Sequence, residues 1–225
     1  MTAADHEVIV VGAGTSGLAV AAMLRKRGID SLILERSERI AESWRGRYNG
    51  LRLNTLGWMS RQPGLRPGWG WRGFPSRDRF VEYLERYAEH HRSRFQFGTE
   101  VRRLDPEAGG WKVETSDGTL RSQFAVVATG YDLVPKLPDV PGRESYVGLL
   151  VHSAEFRNAA DYAAEDVLVV SAGVTGATHP NAPGLFFVGY VATLGGHLRG
   201  IRLESAKLAR ALARQRKAND GRPGR

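Results

Sequence analysis

The 225-residue sequence contains no cysteine. Disulfides, thiolate metal sites, a cysteine nucleophile and a redox-active cysteine pair are therefore excluded, and any redox chemistry must be carried by a bound cofactor. Long apolar runs are also lacking, since none approaches the roughly 18 uncharged residues of a membrane helix. The amino terminus carries Asp5, His6 and Glu7 instead of a basic region followed by an apolar stretch. That pattern predicts a cytoplasmic chain without a leader or a membrane span. His152 has no second histidine beside it at ligand spacing, so no metal site is expected, and it reads as a hydrogen-bonded hinge residue. A Ser-His-acid arrangement is likewise missing.

The remaining composition, 42% hydrophobic and 25% charged, is that of a soluble globular protein with a substantial core, as one large domain or two small ones. The formal charge of +8 would suit a nucleic-acid binder. The arginines, however, alternate with carboxylates, as in Glu35-Arg36-Ser37-Glu38-Arg39. The only dense basic block, Arg210 to Arg225, reads as a helix end with a frayed tail. A solvated basic surface without a nucleic-acid partner is the reading, and such a surface also attracts anionic dinucleotides.

A β-branched run over residues 7 to 11 leads into a glycine turn, then a helix over Leu18 to Arg27 closed by Gly28, and a strand from Ser31 to Leu34 ending at Glu35. This is a βαβ unit. Residues 41 to 75 are rich in Trp, Arg, Gly and Pro and read as a long wrapping loop without a sustained period. Ser76 then caps an amphipathic helix in which Phe80, Val81, Leu84, Tyr87 and Ala88 recur at helical spacing. Strands are predicted at Val101 to Leu104, Trp111 to Thr115, Thr119 to Arg121 and Phe124 to Ala128, with a hairpin turn at Asp117-Gly118. Pro135, Pro138 and Pro141 form an extended connection. Further strands at Asp166 to Val170 and Leu185 to Val188 precede a final helix over about Arg202 to Arg216. The expected fold is α/β, a parallel Rossmann-like sheet with a small antiparallel insertion.

In Gly12-Ala13-Gly14-Thr15-Ser16-Gly17 the first glycine permits a tight turn, the second lets backbone approach a pyrophosphate, and the third lets helix pack on strand. Phosphate would sit on the helix amides and positive dipole end, without a lysine. Glu35, about 20 residues on, is placed to accept ribose hydroxyls and disfavours a 2′-phosphate. The site therefore suits FAD or NAD and not NADP.

Four further segments resemble the flavin-containing monooxygenases and related Baeyer-Villiger-like enzymes: Glu42-Ser43-Trp44-Arg45, Leu51-Arg52-Leu53-Asn54-Thr55, Val126-Val127-Ala128-Thr129-Gly130-Tyr131, and Gly184-Leu185-Phe186-Phe187-Val188-Gly189-Tyr190. A fifth, Tyr146 to Phe156, is similar to that family's FxGxxxHxxx(Y/F) identifying sequence, with Tyr146 in place of the first Phe. Phe156 where Baeyer-Villiger members carry Trp favours the N- or S-oxygenating type. The resemblance implies FAD as cofactor, with Gly12, Ala13, Gly14, Thr15, Ser16, Gly17, Glu35, Arg36, Ser43, Trp44, Asn54, Thr55, Val101, Thr129 and Gly189 as its site residues. It also implies that Asn54 acts at the flavin's reacting edge as an amide donor to developing peroxide or to NADP. The competing reading of Asn54 is a loop residue satisfying its own backbone. Trp44, Trp58, Trp69 and Trp71 are open to two readings, stacking platforms for bases or cover for the loop. After Leu185 to Gly189, the last helix would aim its N-terminus at the flavin, or merely cover the sheet.

In the family a second dinucleotide fold binds NADPH. Asp166 to Val170 resembles its first strand, but Ser171 replaces the first glycine of the turn that follows, and Pro180 and Pro183 leave no room for its helix. The expected organisation is an FAD domain over 1–165, an NADPH-domain remnant over 166–184, a return strand and helix over 185–217 and a tail over 218–225. The function implied is NADPH- and oxygen-dependent oxygenation of a small nucleophilic substrate, impaired unless an external reductase supplies electrons. A non-catalytic flavin-binding module and a nucleic-acid binder are the alternatives.

Overall fold

The computed structural model describes residues 4–68, 71–130, 134–135, 142–162, 185–187 and 197–220. Strand β1 (His6–Val11) buries Val8, Ile9 and Val10 completely and runs straight into the glycine turn. Helix α1 (Thr15–Arg25) follows, and β2 (Ser31–Leu34) returns parallel to β1. The helix begins at Thr15, three residues before the expected Leu18. Thr15, Ser16 and Gly17 look like loop residues in the sequence, yet all three are buried against the sheet, and packing overrides their weak helix propensity.

The wrapping segment contains two single helical turns that the sequence did not disclose, α2 (Glu42–Arg45) and α3 (Gly57–Ser60). Helix α4 (Arg77–His90) starts where Ser76 accepts a hydrogen bond from the Arg79 amide at 3.4 Å, and it buries the expected apolar stripe together with Tyr83. Strand β3 (Arg94–Gln96) then pairs parallel with β2. Its short, polar sequence gave no strand signal, and partnership with β2 creates it.

Strands β4 (Val101–Glu107) and β5 (Gly110–Thr115) form an antiparallel ribbon with β6 (Gly118–Val127). The two strands expected at 119–121 and 124–128 are one. Ser122 and Gln123 break the apolar pattern because β6 changes partners there. Residues 118–122 pair antiparallel with β5, and 122–127 pair parallel with β1. Strand β7 (Leu185–Phe187) joins β6 in parallel on its other side. The described strands make a seven-stranded sheet, ordered β3-β2-β1-β6-β5-β4 with β7 also on β6.

Helix α5 (His197–Asp220) is longer at both ends than the expected 202–216 and packs against α1. Arg216 near its end reaches Glu7 at 3.1 Å and the Gly28 carbonyl at 3.0 Å, which orients α5 parallel to α1. Its amino end therefore lies on the same edge of the sheet as the glycine turn. Asp166 to Val170, Ser171 to Gly176 and the remainder of 163–184 lie outside the described residues, as do Pro138 and Pro141.

Candidate functional site

Strands β1, β2, β6 and β7 are mutually parallel, so their carboxyl ends meet at one edge. That edge of an open α/β sheet is where crevices form and ligands bind. It carries Gly12 after β1, Glu35 after β2 and Ala128-Thr129 after β6.

The three fingerprint glycines have three different reasons to be glycine. Gly12 has φ +104°, and a Cβ there would lie 2.8 Å from the Ala128 carbonyl oxygen. Gly17 packs on the turn so tightly that a Cβ would stand 1.9 Å from the Gly12 oxygen. Gly14, by contrast, would place a Cβ in open space with nothing within 4 Å. Its backbone needs no glycine either, since φ is −82°. Gly14 also caps α1 without any side-chain hydrogen bond to the first turn. A helix N-terminus with no side-chain cap and with open space over Gly14 fits a pyrophosphate, which needs donors and close approach to backbone.

Glu35 is fixed beside this turn. Its Oε2 accepts from the Ala13 amide at 2.7 Å and its Oε1 from the Ser37 amide at 3.0 Å. Each carboxylate oxygen retains acceptor capacity, so hydroxyls of a ribose find an oriented partner. Arg36 next to it is exposed.

Trp44 connects α2 to the same turn. Its Nε1 donates to Thr15 Oγ1 at 2.9 Å, and its ring meets Phe80 edge-on at 4.6 Å. The sequence named both residues but not the bond between them, which joins positions 29 apart. Ser43 on α2 is exposed. Asn54 is also exposed and makes no side-chain hydrogen bond among the described residues, so the reading in which it satisfies its own backbone does not hold. Thr55 Oγ1 shares a 2.7 Å hydrogen bond with the buried Ser60 hydroxyl. Val101 opens β4 and packs against the core cluster of Ile9, Val11 and Leu34. Thr129 stands exposed beside Gly12. Gly189 lies outside the described residues.

Behind the edge, α4 pins the wrapping segment. Tyr83 accepts from the Gln62 amide at 2.7 Å and donates to the Leu65 carbonyl at 2.9 Å, and Tyr87 donates to the Pro63 carbonyl at 2.7 Å. Burial pushes the Tyr83 phenol up to about 12 and raises that of Tyr87 further, so both stay neutral donors. Trp71 lies against Tyr83, whereas Trp58 is 63% exposed. Trp44 and Trp71 are therefore cover for the loop, and Trp69 falls outside the described residues. Tyr83 lies on the same stripe, three residues after Phe80 and four before Tyr87, so helical spacing could have found its burial; its two hydrogen bonds to the wrapping segment appear only with the docked loop. His152 accepts from the Ala154 amide at 3.1 Å through Nδ1. Among the described residues no cluster of His, Asp and Glu could hold a metal, and no helix is long and apolar enough to cross a membrane.

Comparison with known proteins gives this edge its context. The family model for pyridine nucleotide-disulphide oxidoreductase matches residues 9–177. The chain is 39% identical over 176 residues to a probable indole-3-pyruvate monooxygenase, YUCCA1, of Arabidopsis thaliana, covering 76% of this chain and 42% of that protein. Among solved structures, a flavin-containing monooxygenase from Stenotrophomonas maltophilia superposes with a TM-score of 0.66 at 25% identity, covering 69% of this chain and 48% of that one. OTEMO, in complex with FAD and NADP, superposes with a TM-score of 0.56 at 26% identity, covering 68% of this chain and 31% of that one. The chain thus spans less than half the length of these proteins. Disulfide chemistry, which the family description includes, has no cysteine here to carry it. The chain belongs to the pyridine nucleotide-disulphide oxidoreductase family, and within it to the flavin-containing monooxygenases.

Proposed function

We propose that this chain binds FAD along the carboxyl edge of its parallel sheet and forms the flavin-binding part of an oxygenating oxidoreductase. The observation that carries the reading is Gly14, the one fingerprint glycine that neither its backbone angle nor its neighbours require. A ligand that must touch backbone there supplies the requirement. The amides of Gly14 to Gly17 would hold the pyrophosphate, Glu35 the ribose, with Arg36, Val101 and Thr129 around the adenosine half. Ser43 and Trp44 would lie along the cofactor, and Asn54 and Thr55 beside its reacting edge, with Gly189 on the returning segment.

When bound, FAD supplies hydride acceptance and oxygen transfer to a small nucleophilic substrate, with NADPH as the hydride source. The residues of this chain contribute placement. Trp44, backed by the buried Phe80, would wall the site, and the exposed Asn54 amide is available as a donor beside it. We propose likewise a division into an FAD unit over 1–165 and 185–217 and an NADPH remnant over 166–184, with an external reductase as the source of electrons. The basic surface does not favour a nucleic-acid partner, because Arg39, Arg45, Arg103 and Arg121 are paired with carboxylates.

The test is the visible spectrum of the purified chain during titration with FAD, followed by anaerobic NADPH. Binding that weakens at least about tenfold in Glu35→Gln, roughly 1.4 kcal/mol, supports the site. Bleaching by NADPH supports a working reductase, whereas bleaching by dithionite alone leaves a flavin module without its hydride donor. A chain that never takes up FAD refutes the proposal.

A further inference from the structure

Helix α2 has a single turn, so it cannot satisfy its own last carbonyls: that of Tyr48 accepts from the Leu51 amide at 3.4 Å, but those of residues 45–47 meet no backbone donor among the described residues. Two guanidinium groups from distant parts of the chain supply them. Arg77, the first residue of α4, donates from Nη1 to the Arg47 carbonyl at 2.5 Å, with longer contacts to Tyr48 at 3.4 Å and Arg45 at 3.5 Å. Arg157, at the end of the identifying segment, donates from Nη1 to the Gly46 carbonyl at 2.7 Å and to Ala154 at 2.8 Å. The pairing is reinforced from the other direction, since the Asn49 amide donates to the Arg157 carbonyl at 2.6 Å and the Tyr48 ring packs on Phe156 at 5.7 Å. Phe156 in turn stacks on Tyr162 at 5.8 Å.

We infer that Arg77 and Arg157 are positioning residues that clamp the turn after α2, and that Arg157 couples the segment 152–162 to the flavin site. The inference rests on the flavin reading above for its functional consequence, but the clamp itself is a property of the ligand-free chain. Three residues upstream of the clamped carbonyl of Gly46 stands Ser43, and two upstream stands Trp44, whose indole already grips Thr15 in the phosphate turn. A displacement of residues 45–48 therefore tilts α2 and moves Trp44 against the turn. Coupling of this kind is reciprocal. Whatever the clamp adds to FAD affinity, FAD must return as protection of the segment 152–162, although the proposed contacts to the cofactor involve none of its residues. Because the Arg157 side chain is exposed, the expected coupling is modest.

The experiment is hydrogen exchange on wild type, Arg157→Gln and Arg157→Lys, with and without FAD, alongside FAD titration. In the ligand-free chain, Arg157→Gln is expected to speed exchange over residues 44–49 about tenfold, while the β5–β6 hairpin stays unchanged as an internal control for folding. FAD is expected to slow exchange over 152–162 several-fold in wild type. Arg157→Gln should abolish that protection and weaken FAD binding about 3- to 10-fold, and Arg157→Lys, which keeps one donor, should fall between. Unchanged exchange over 44–49 in Arg157→Gln overturns the clamp, whether or not FAD binds. Normal FAD affinity in that variant, with no protection of 152–162 in wild type, overturns the coupling. Complete absence of FAD binding sinks the flavin reading and, with it, the coupling, but leaves the clamp to be judged by the exchange over 44–49.

Discussion

Gly17→Ala and Gly14→Ala add the same methyl group three residues apart and should have opposite consequences. At Gly17 the new Cβ would sit 1.9 Å from the Gly12 carbonyl oxygen, about 1.5 Å inside the 3.4 Å at which ordinary contact begins. The obstacle is backbone, so α1 must lift from the turn. Overpacking of this kind costs up to about 3 kcal/mol, and the better helix propensity of alanine returns about 1 kcal/mol. A net loss of about 2 kcal/mol lowers the melting temperature of a chain this size by roughly 4–8 °C. At Gly14 the Cβ meets nothing and φ is −82°, so the melting temperature should stay within about 2 °C of wild type. The methyl instead fills the phosphate cradle, and FAD affinity should fall at least about tenfold, or 1.4 kcal/mol. Circular dichroism melts and FAD titration of the two variants form the assay. If Gly17→Ala melts like wild type, or Gly14→Ala binds FAD like wild type, the division of labour among these glycines is wrong.

Tyr83→Phe leaves the Gln62 amide and the Leu65 carbonyl without their partner and should cost about 2–4 kcal/mol, against about 1–2 kcal/mol for Tyr87→Phe, which strands only the Pro63 carbonyl; urea unfolding of both gives the ranking, and equal losses would contradict it. His91 offers a pH signature, because burial first and neighbouring His90 second hold its pKa below the ordinary imidazole value of about 6.5. The unfolded chain then binds the proton more readily, so this contribution is complete above about pH 6.5 and is lost as pH falls towards the folded pKa. Denaturant midpoints measured from pH 7.5 to 5.5 should decline, and His91→Phe should flatten the decline; an equal slope in the variant would remove His91 as its source. Trp44→Phe keeps the packing on Phe80 but loses the donor to Thr15, so it should weaken FAD about 3- to 10-fold, as judged by titration, with a much smaller effect in the Thr15→Val background.

The sequence alone determined what is local and periodic. The β-branched run into Gly12, the carboxylate at Glu35 and the apolar stripe of α4 each follow from spacing within one or two dozen residues. They place a dinucleotide turn at the start of a parallel sheet before any coordinates are seen. Partnerships across long stretches of chain were decided only by tertiary structure. Strand β3 exists because β2 offers it a free edge, and β6 is one strand because its two halves satisfy different neighbours. Thr15 belongs to a helix because the sheet buries it. The same holds for the site. The motif assigned Gly12, Gly14 and Gly17 their three roles in advance, but only the surroundings supply the reasons: the φ of +104° at Gly12, the Gly12 carbonyl against Gly17 and the open space at Gly14. Arg77 and Arg157 carry no local signal, because a guanidinium that satisfies a carbonyl 30 or 111 residues away is, in sequence, one arginine among many.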